Sequence, residues 1–368
     1  MAARYDLEGM RMGNEGNRTV FVVGAGASKE VDLPVGRELT KVIALALSFR
    51  VEHGQLQSGG DESILSTLRK LADQEQVMDR RDHPINAYLH AAWRIRDAMP
   101  QSLSIDNFID SHQDERHVAL CGKLAIVQTI LQAERGSKLC VDPSNTNNKI
   151  DFSKISDTWF SRFFERVTEG CGRAAIKERF ASITFVVFNY DRCIEHFLHS
   201  ALQNYYQMKP EEATDALSAL EVFHPYGTVG DLSWQRPGQL NVGFGAEAHS
   251  ATLGHLAQSI RTFTEGMGDR TGELDMIRSR VDSASRLIFL GFAFHRQNMR
   301  LLLRDLGEAE TRLSTRVFGS TFAMSKSDVQ SIESDLAAQR FDRTHVAFEA
   351  VKCNSLYEEY SRSLSFAT

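Results

Sequence analysis

Thr19-Val20-Phe21-Val22-Val23-Gly24-Ala25-Gly26-Ala27-Ser28 is the stretch whose reading decides the fold. Five uncharged β-branched and aromatic residues form a run suited to a strand buried on both faces. The chain then turns through Gly24 and Gly26, passes Leu33-Pro34-Val35-Gly36, and enters a helix predicted from about Arg37 to Leu47. Strand, glycine turn and helix in that order open a nucleotide-binding α/β fold. Glycines at such a turn let the backbone approach a pyrophosphate, whose charge the following amides and helix dipole stabilise. No Gly-Lys-Ser/Thr follows, so the turn is not a P-loop. A tight strand-to-helix connection without a ligand uses the same residues.

Further along, Ile183–Phe188 is a second apolar strand, Val222-Phe223 a short one, and Leu287–Leu290 a third that ends in Gly291-Phe292-Ala293-Phe294. Arg316–Ala323 and His345–Val351 complete the strands. Helices are predicted from Arg192 to about Gln203, Asn298 to Leu306, Ser327 to Gln339 and Ser355 to Leu364. This alternation predicts a doubly wound, mostly parallel, Rossmann-like sheet with helices on both faces. His53 to Gly60 is polar and glycine-bearing and reads as a loop. From Asp61 to Phe180, helical spacing dominates, as in Ile64, Leu65, Leu68 and Leu71, then Val118, Leu120, Leu124, Val127 and Leu131, then Trp159, Phe160, Phe163, Phe164 and Val167. Pro143 to Lys149 is a further loop. The expected organisation is a core of residues 19–52 and 181–368, an all-helical insertion at 53–180, and a flexible N-terminus at 1–18. The glycine-rich stretch from Thr228 to Ser250 reads as an irregular cover over a site.

Composition narrows the function classes. A net charge of −6 argues against a whole-surface nucleic-acid footprint. The five cysteines, Cys121, Cys140, Cys171, Cys193 and Cys353, form no C-x-x-C pair, so no metal site is expected. Their odd number and irregular spacing suit reduced thiols in a cytoplasmic protein. No apolar run is long enough to span a membrane, and Met1 to Arg18 lacks the apolar core of a signal peptide.

Ligands on such sheets bind beyond the carboxyl ends of the strands, and those ends carry the candidate residues. Asn189 and Asp191 close an apolar strand, where they can hydrogen-bond ribose hydroxyls or orient a water. Asp191 equally suits the N-cap of the next helix. His224, between a short strand and Pro225-Tyr226-Gly227, suits general-base work near neutral pH. Ser104-Ile105-Asp106-Asn107 reads as a capped helix start whose Asp106 can also face the crevice. The candidate cofactor-binding set is Gly24, Ala25, Gly26, Ala27, Ser28, Pro34, Asp106, Gly291 and Phe292; the candidate catalytic set is Asn189, His224 and Asp191.

In these motifs the chain resembles the sirtuin superfamily. Gly24–Ser28 followed by Leu33–Gly36 looks like its glycine-rich cofactor motif. Phe188-Asn189-Tyr190-Asp191, with Glu195 in the next helix, looks like its asparagine–aspartate motif. His224-Pro225-Tyr226-Gly227 looks like its histidine–glycine motif, with two residues inserted between the His and the Gly. Gly291–Phe294 stands where the family places a cofactor-contacting strand end. Ser104–Ile109 is similar to an element of bacterial sirtuin-like NAD hydrolases of antiviral defence. The four-cysteine zinc module of the family's protein deacylases has no counterpart, and Pro34-Val35-Gly36-Arg37 replaces their Pro-Asp-Phe-Arg. Arg296 stands where many defence relatives have an acidic residue.

The resemblance implies an NAD glycohydrolase that releases nicotinamide and ADP-ribose and takes NAD as its substrate, without a metal. It implies a regulated antiphage effector that depletes NAD, controlled by oligomerisation, a partner chain or a second ligand; a homo-oligomer is expected, with a separate sensor or ATPase protein as the candidate partner and no direct nucleic-acid or membrane partner. An NAD-dependent deacylase, an ADP-ribosyltransferase and a non-catalytic nucleotide-sensing module remain the alternatives.

Overall fold

The computed structural model describes residues 18–52, 55–57, 59–75, 83–141, 149–236, 241–265, 271–304 and 313–367. The N-terminus expected to be flexible, up to residue 17, and all but the last residue of the predicted loop at 143–149 lie outside the described residues.

The first strand, β1 (Thr19–Val23), sits at the centre of a six-stranded sheet. It pairs in parallel with β4 (Ile183–Val187) on one side and with β6 (Arg286–Leu290) on the other. β5 (Glu221–Phe223) extends the sheet beyond β4, while β7 (Arg316–Ser320) and β8 (Val346–Glu349) extend it beyond β6. The order is β5-β4-β1-β6-β7-β8, and every pairing is parallel. Counted along the sheet's own strands this is 3-2-1-4-5-6, the doubly wound Rossmann-like arrangement, and the order reverses between β1 and β6.

Side-chain alternation explains why β1 is apolar throughout. Val20 and Val22 enter one hydrophobic cluster and Phe21 and Val23 the opposite one, so neither face meets water. The first cluster takes in α2 (Gly36–Ala46), α3 (Glu62–Gln74), α4 (Ile85–Ala98), α5 (Ile105–Asp110) and most of α6 (Arg116–Gly136). The second takes in α7 (Trp159–Thr168), α8 (Ile176–Ala181) and α9 (Cys193–Tyr205). The stretch 53–180 is therefore shared between both faces of the sheet. Trp159 is tied beneath β1, donating its indole N–H to the carbonyl of Ala27 at 3.0 Å.

Several elements differ from the sequence expectations. The stretch read as a loop at 53–60 contains β3 (Gln55–Gln57), antiparallel to β2 (Arg50–Glu52). Between residues 206 and 285 the chain forms α10 (Pro210–Leu217), α11 (Ser250–Ala257) and α12 (Thr271–Asp282), none of them anticipated. The last three helices run closer to expectation, as α13 (Arg296–Leu302), α14 (Lys326–Ala338) and α15 (Cys353–Glu359). No helix among the described residues is long and apolar enough to cross a membrane.

Candidate functional site at the strand-order reversal

The carboxyl ends of β1 and β6 meet backbone to backbone. Gly26 donates its amide to the carbonyl of Gly291 at 3.0 Å, and Gly24 donates to Leu290 at 3.0 Å. A Cβ on Gly24 would lie 2.6 Å from the Gly291 oxygen, and one on Gly291, where φ is +55°, would lie 2.1 Å from the Ala27 nitrogen. Only hydrogen fits at either position, so the two glycines are explained by this close approach. The same geometry fixes the state of the predicted pyrophosphate cradle. The amides of Gly26 and Ala27 already have internal acceptors, Gly291 and Gly24. The helix that follows, α1 (Ala25–Ser28), is one turn long. Phe292 packs its ring against Phe188 at 5.1 Å between centroids and against Phe294 at the same spacing. Pro34 is half-buried in the loop before α2.

Ser28 joins the glycine turn to the end of β4. Its hydroxyl donates to Asp191 Oδ2 at 2.9 Å and accepts from Asn189 Nδ2 at 3.1 Å. All three side chains are buried. Asp191 Oδ1 accepts the Cys193 amide at 3.1 Å. Its capping of α9 and its place in the site therefore coexist. Burial pushes the Asp191 carboxyl above its ordinary range, against the pull of the Cys193 and Ser28 hydrogen bonds.

His224, at the end of β5, is one residue further out along the strand ends. Its Nε2 lies 2.8 Å from Glu195 Oε1, and its Nδ1 lies 3.3 Å from the Asn189 carbonyl. A carbonyl only accepts, so Nδ1 carries a hydrogen, and the proton on the other side is shared with Glu195. Burial opposes the imidazolium, but the Glu195 charge and hydrogen bond outweigh it and hold His224 above its ordinary 6.5. Glu195 is held below its ordinary range, with burial again opposing and His224 prevailing. The second carboxylate oxygen of Glu195, Oε2, is buried without a hydrogen-bond partner.

Asp106 stands in the first turn of α5. Ser104 caps that helix as expected, accepting the Asn107 amide at 3.1 Å. The Asp106 residue is half-buried, yet its Oδ1 is cut off from solvent and unpartnered. Burial pushes its carboxyl up to about 7. It is close enough to Tyr226 to raise the phenol's pKa further, burial being the larger cause. Tyr226 donates to Asn298 Oδ1 at 2.6 Å. The Tyr190 hydroxyl is also buried without a partner.

The structure thus brings Ser28, Asn189 and Asp191 into one hydrogen-bonded group, with His224 joined to it through the Asn189 carbonyl. Gly24, Ala25, Gly26, Ala27, Gly291 and Phe292 stand at the paired ends of β1 and β6, while Pro34 lies in the loop before α2 and Asp106 in the first turn of α5. Tyr226, Asn298 and the Glu195 partnership escaped the sequence reading, although Tyr226 and Glu195 lie within the motifs it quoted. Asn298 carries no local signal beyond being polar near a strand end. No cluster of three or more metal-ligating side chains occurs among the described residues. Neither the family models nor the curated proteins compared with this sequence give a match.

Proposed function

We propose that this chain is a sirtuin-like NAD glycohydrolase, cleaving NAD with water to nicotinamide and ADP-ribose. The observation that carries the reading is the grouping of Ser28, Asn189, Asp191 and His224 beyond the strand ends next to the β1–β6 reversal, where doubly wound sheets place dinucleotides. The orphaned Asp106 Oδ1 and Tyr190 hydroxyl suit a substrate that brings hydroxyl and amide groups of its own.

Nicotinamide leaves NAD as a neutral molecule from a cationic precursor and needs no proton. The bond breaks toward an oxocarbenium-like ribose, so holding the ring and stabilising positive charge are the main requirements. In this proposal Asn189 and Asp191 orient the ribose and the attacking water. Water forms the new bond to the anomeric carbon, and its proton passes to the His224–Glu195 pair. The imidazole must first be deprotonated and one ring nitrogen freed from its present acceptor. Gly24–Ser28 and Gly291-Phe292 border the pyrophosphate. Such an activity would exhaust NAD if unrestrained. This supports regulation, by oligomerisation, a partner chain or a second ligand; the family resemblance extends the proposal to a cytoplasmic antiphage effector, a homo-oligomer working with a separate sensor or ATPase.

The test is nicotinamide release by the purified protein beside Asn189→Ala and His224→Ala. Release by the parent, with both folded variants at least 100-fold slower, supports the reading. Undiminished turnover in both variants overturns the assignment. A second reading, a non-catalytic nucleotide sensor, is favoured by the engagement of both His224 ring nitrogens and of the Gly26 and Ala27 amides. NAD binding without turnover by the parent, alone and with its cellular partners, would select it.

A further inference from the structure

A cavity of about 1010 Å³ is lined in part by His224. It lies along β5, between α9 and α10 on one side and the segments around Gly230–Arg236 and Gln258–Arg261 on the other. It is large enough for a ligand bigger than a water or an ion. None of Gly24–Ser28, Asn189 or Asp191 lines it.

Three features define what it suits. The first is a need for donors. Glu195 lines the cavity with its side chain only 7% exposed, and its Oε2 lacks a partner. A buried carboxylate oxygen without a partner favours a hydroxyl or N–H donor close by, because an unmet buried acceptor costs free energy. Asp231, in the same wall, offers a second carboxylate, with only a distant Arg236 beside it at 3.9 Å.

The second feature is charge. Arg192 faces the cavity, but its guanidinium is bound to Glu134 and to the carbonyls of Val242 and Gly243. Arg261 stands 3.9 Å from Glu273. The cations of the wall, Arg192, Arg236, Arg261 and the His224 imidazolium, therefore each face a carboxylate, of Glu134, Asp231, Glu273 and Glu195 respectively, so the wall is close to neutral. A neutral ligand with several hydroxyls fits this balance and an anion does not. The third feature is a flat aromatic surface. Trp234 lines the cavity, and its indole is stacked on His199 with 4.4 Å between centroids and 4° between planes. An indole braced in this way is a platform for a planar heterocycle.

We propose that this cavity is a second ligand site, taking an uncharged nucleoside whose base lies on Trp234 and whose vicinal ribose hydroxyls donate to Glu195 and Asp231. The site is independent of the NAD-cleaving reading, since its evidence is the cavity wall alone. It is adjacent to that reading's chemistry, because Glu195 belongs both to the wall and to the His224 pair.

Calorimetric titration of the full chain with adenosine, 2′,3′-dideoxyadenosine and AMP tests it. Adenosine is expected to bind at least 10-fold more tightly than the dideoxy analogue and at least 5-fold more tightly than AMP. Trp234→Ala and Asp231→Asn should each weaken adenosine at least 5-fold, with Asp231→Asn guarding against a folding artefact at Trp234. Asn189→Ala should leave adenosine binding unchanged, which separates this site from the glycine turn. No adenosine binding at millimolar concentration, equal binding of the dideoxy analogue, AMP at parity, or insensitivity to both wall variants overturns the proposal. So does loss of adenosine binding in a folded Asn189→Ala protein. Failure of nicotinamide release leaves each of these outcomes readable.

Discussion

Replacing Glu134 by Gln is expected to be among the most damaging single changes available outside the site. Glu134 ends the long helix α6 and has no exposed surface, and Arg192 at the start of α9 is 1% exposed. The carboxylate accepts from Arg192 three times, through N, Nε and Nη2 at 3.2, 3.1 and 2.5 Å, and from the Gly245 amide at 3.0 Å. Glutamine has nearly the same shape but no charge, and its amide nitrogen would point a donor at a donor. Arg192 would then be a buried cation held by the carbonyls of Val242, Gly243 and Gly230 at 2.6, 3.1 and 3.4 Å. Breaking a buried pair from one side costs about 3–5 kcal/mol. Global stability for a domain is about 5–15 kcal/mol, so a large fraction is removed. Urea unfolding followed by circular dichroism measures it as a lowered midpoint. The double variant Glu134→Leu/Arg192→Met should recover part of the loss by removing both charges. Recovery would be incomplete, because the backbone amides of residues 192 and 245 and the Val242 carbonyl lose their partners. A loss below about 1 kcal/mol in the single variant, or no recovery in the double, would refute the view that this pair clamps α6 to the exit of β4.

Four further outcomes follow from the site. Gly291→Ala should cost about 2–4 kcal/mol, since the position is left-handed and the new methyl meets the Ala27 nitrogen; an unchanged urea midpoint would show that the two strand ends can part easily. Under the proposed reaction, activity should rise with pH as His224 loses its proton, with a midpoint above 6.5, and Glu195→Gln should move that midpoint down by removing the charge that raises it. By linkage, the His224 partnership stabilises the fold fully below about 6.5 and its contribution fades as pH rises through the raised value, so the stability gap between parent and Glu195→Gln should narrow at alkaline pH. Asp106→Asn should be nearly neutral for stability at pH 4 and stabilise by about 1–3 kcal/mol at pH 8, because the ionised form of a buried carboxyl raised to about 7 is penalised only as pH climbs; denaturation at the two pH values checks the sign.

The sheet was legible because burial on both faces leaves a signature that needs no tertiary knowledge. Thr19–Val23, Ile183–Val187 and Arg286–Leu290 are nearly all apolar, and each ends in glycine or short polar residues. The unexpected elements lack that signature. Gln55–Gln57 is a three-residue strand of Gln-Leu-Gln, too short and too polar to carry a strand signature, and it pairs antiparallel with Arg50–Glu52. Thr271–Asp282 turns just Leu274, Ile277 and Val281 into the core, a sparse stripe among charged residues. In the site, Asn189, Asp191 and His224 stood out as polar residues at strand ends. The partnership of His224 with Glu195 did not, because 29 residues separate them and only the parallel pairing of β4 with β5 brings the end of β5 beside α9. The burial of Asp106 is likewise a tertiary fact, since its local sequence specifies only the Ser104 cap.

The glycines of the turn show how one residue type can answer two demands. From sequence they suit the approach of a pyrophosphate; in the fold they allow β1 and β6 to touch across the strand-order reversal. The two demands compete for the same amides. For Gly26 to donate to a phosphate it must release the Gly291 carbonyl, now 3.0 Å away, and that exchange costs about 0.5–1.5 kcal/mol unless the ligand's charge repays it. A charge-assisted bond to phosphate is the stronger of the two, so the balance favours a dianionic ligand over the closed turn. Under the proposed NAD cleavage, the present geometry is the resting arrangement that the substrate's pyrophosphate would have to open. Adenosine, which carries no phosphate, has no means of opening it and would leave the turn as it stands.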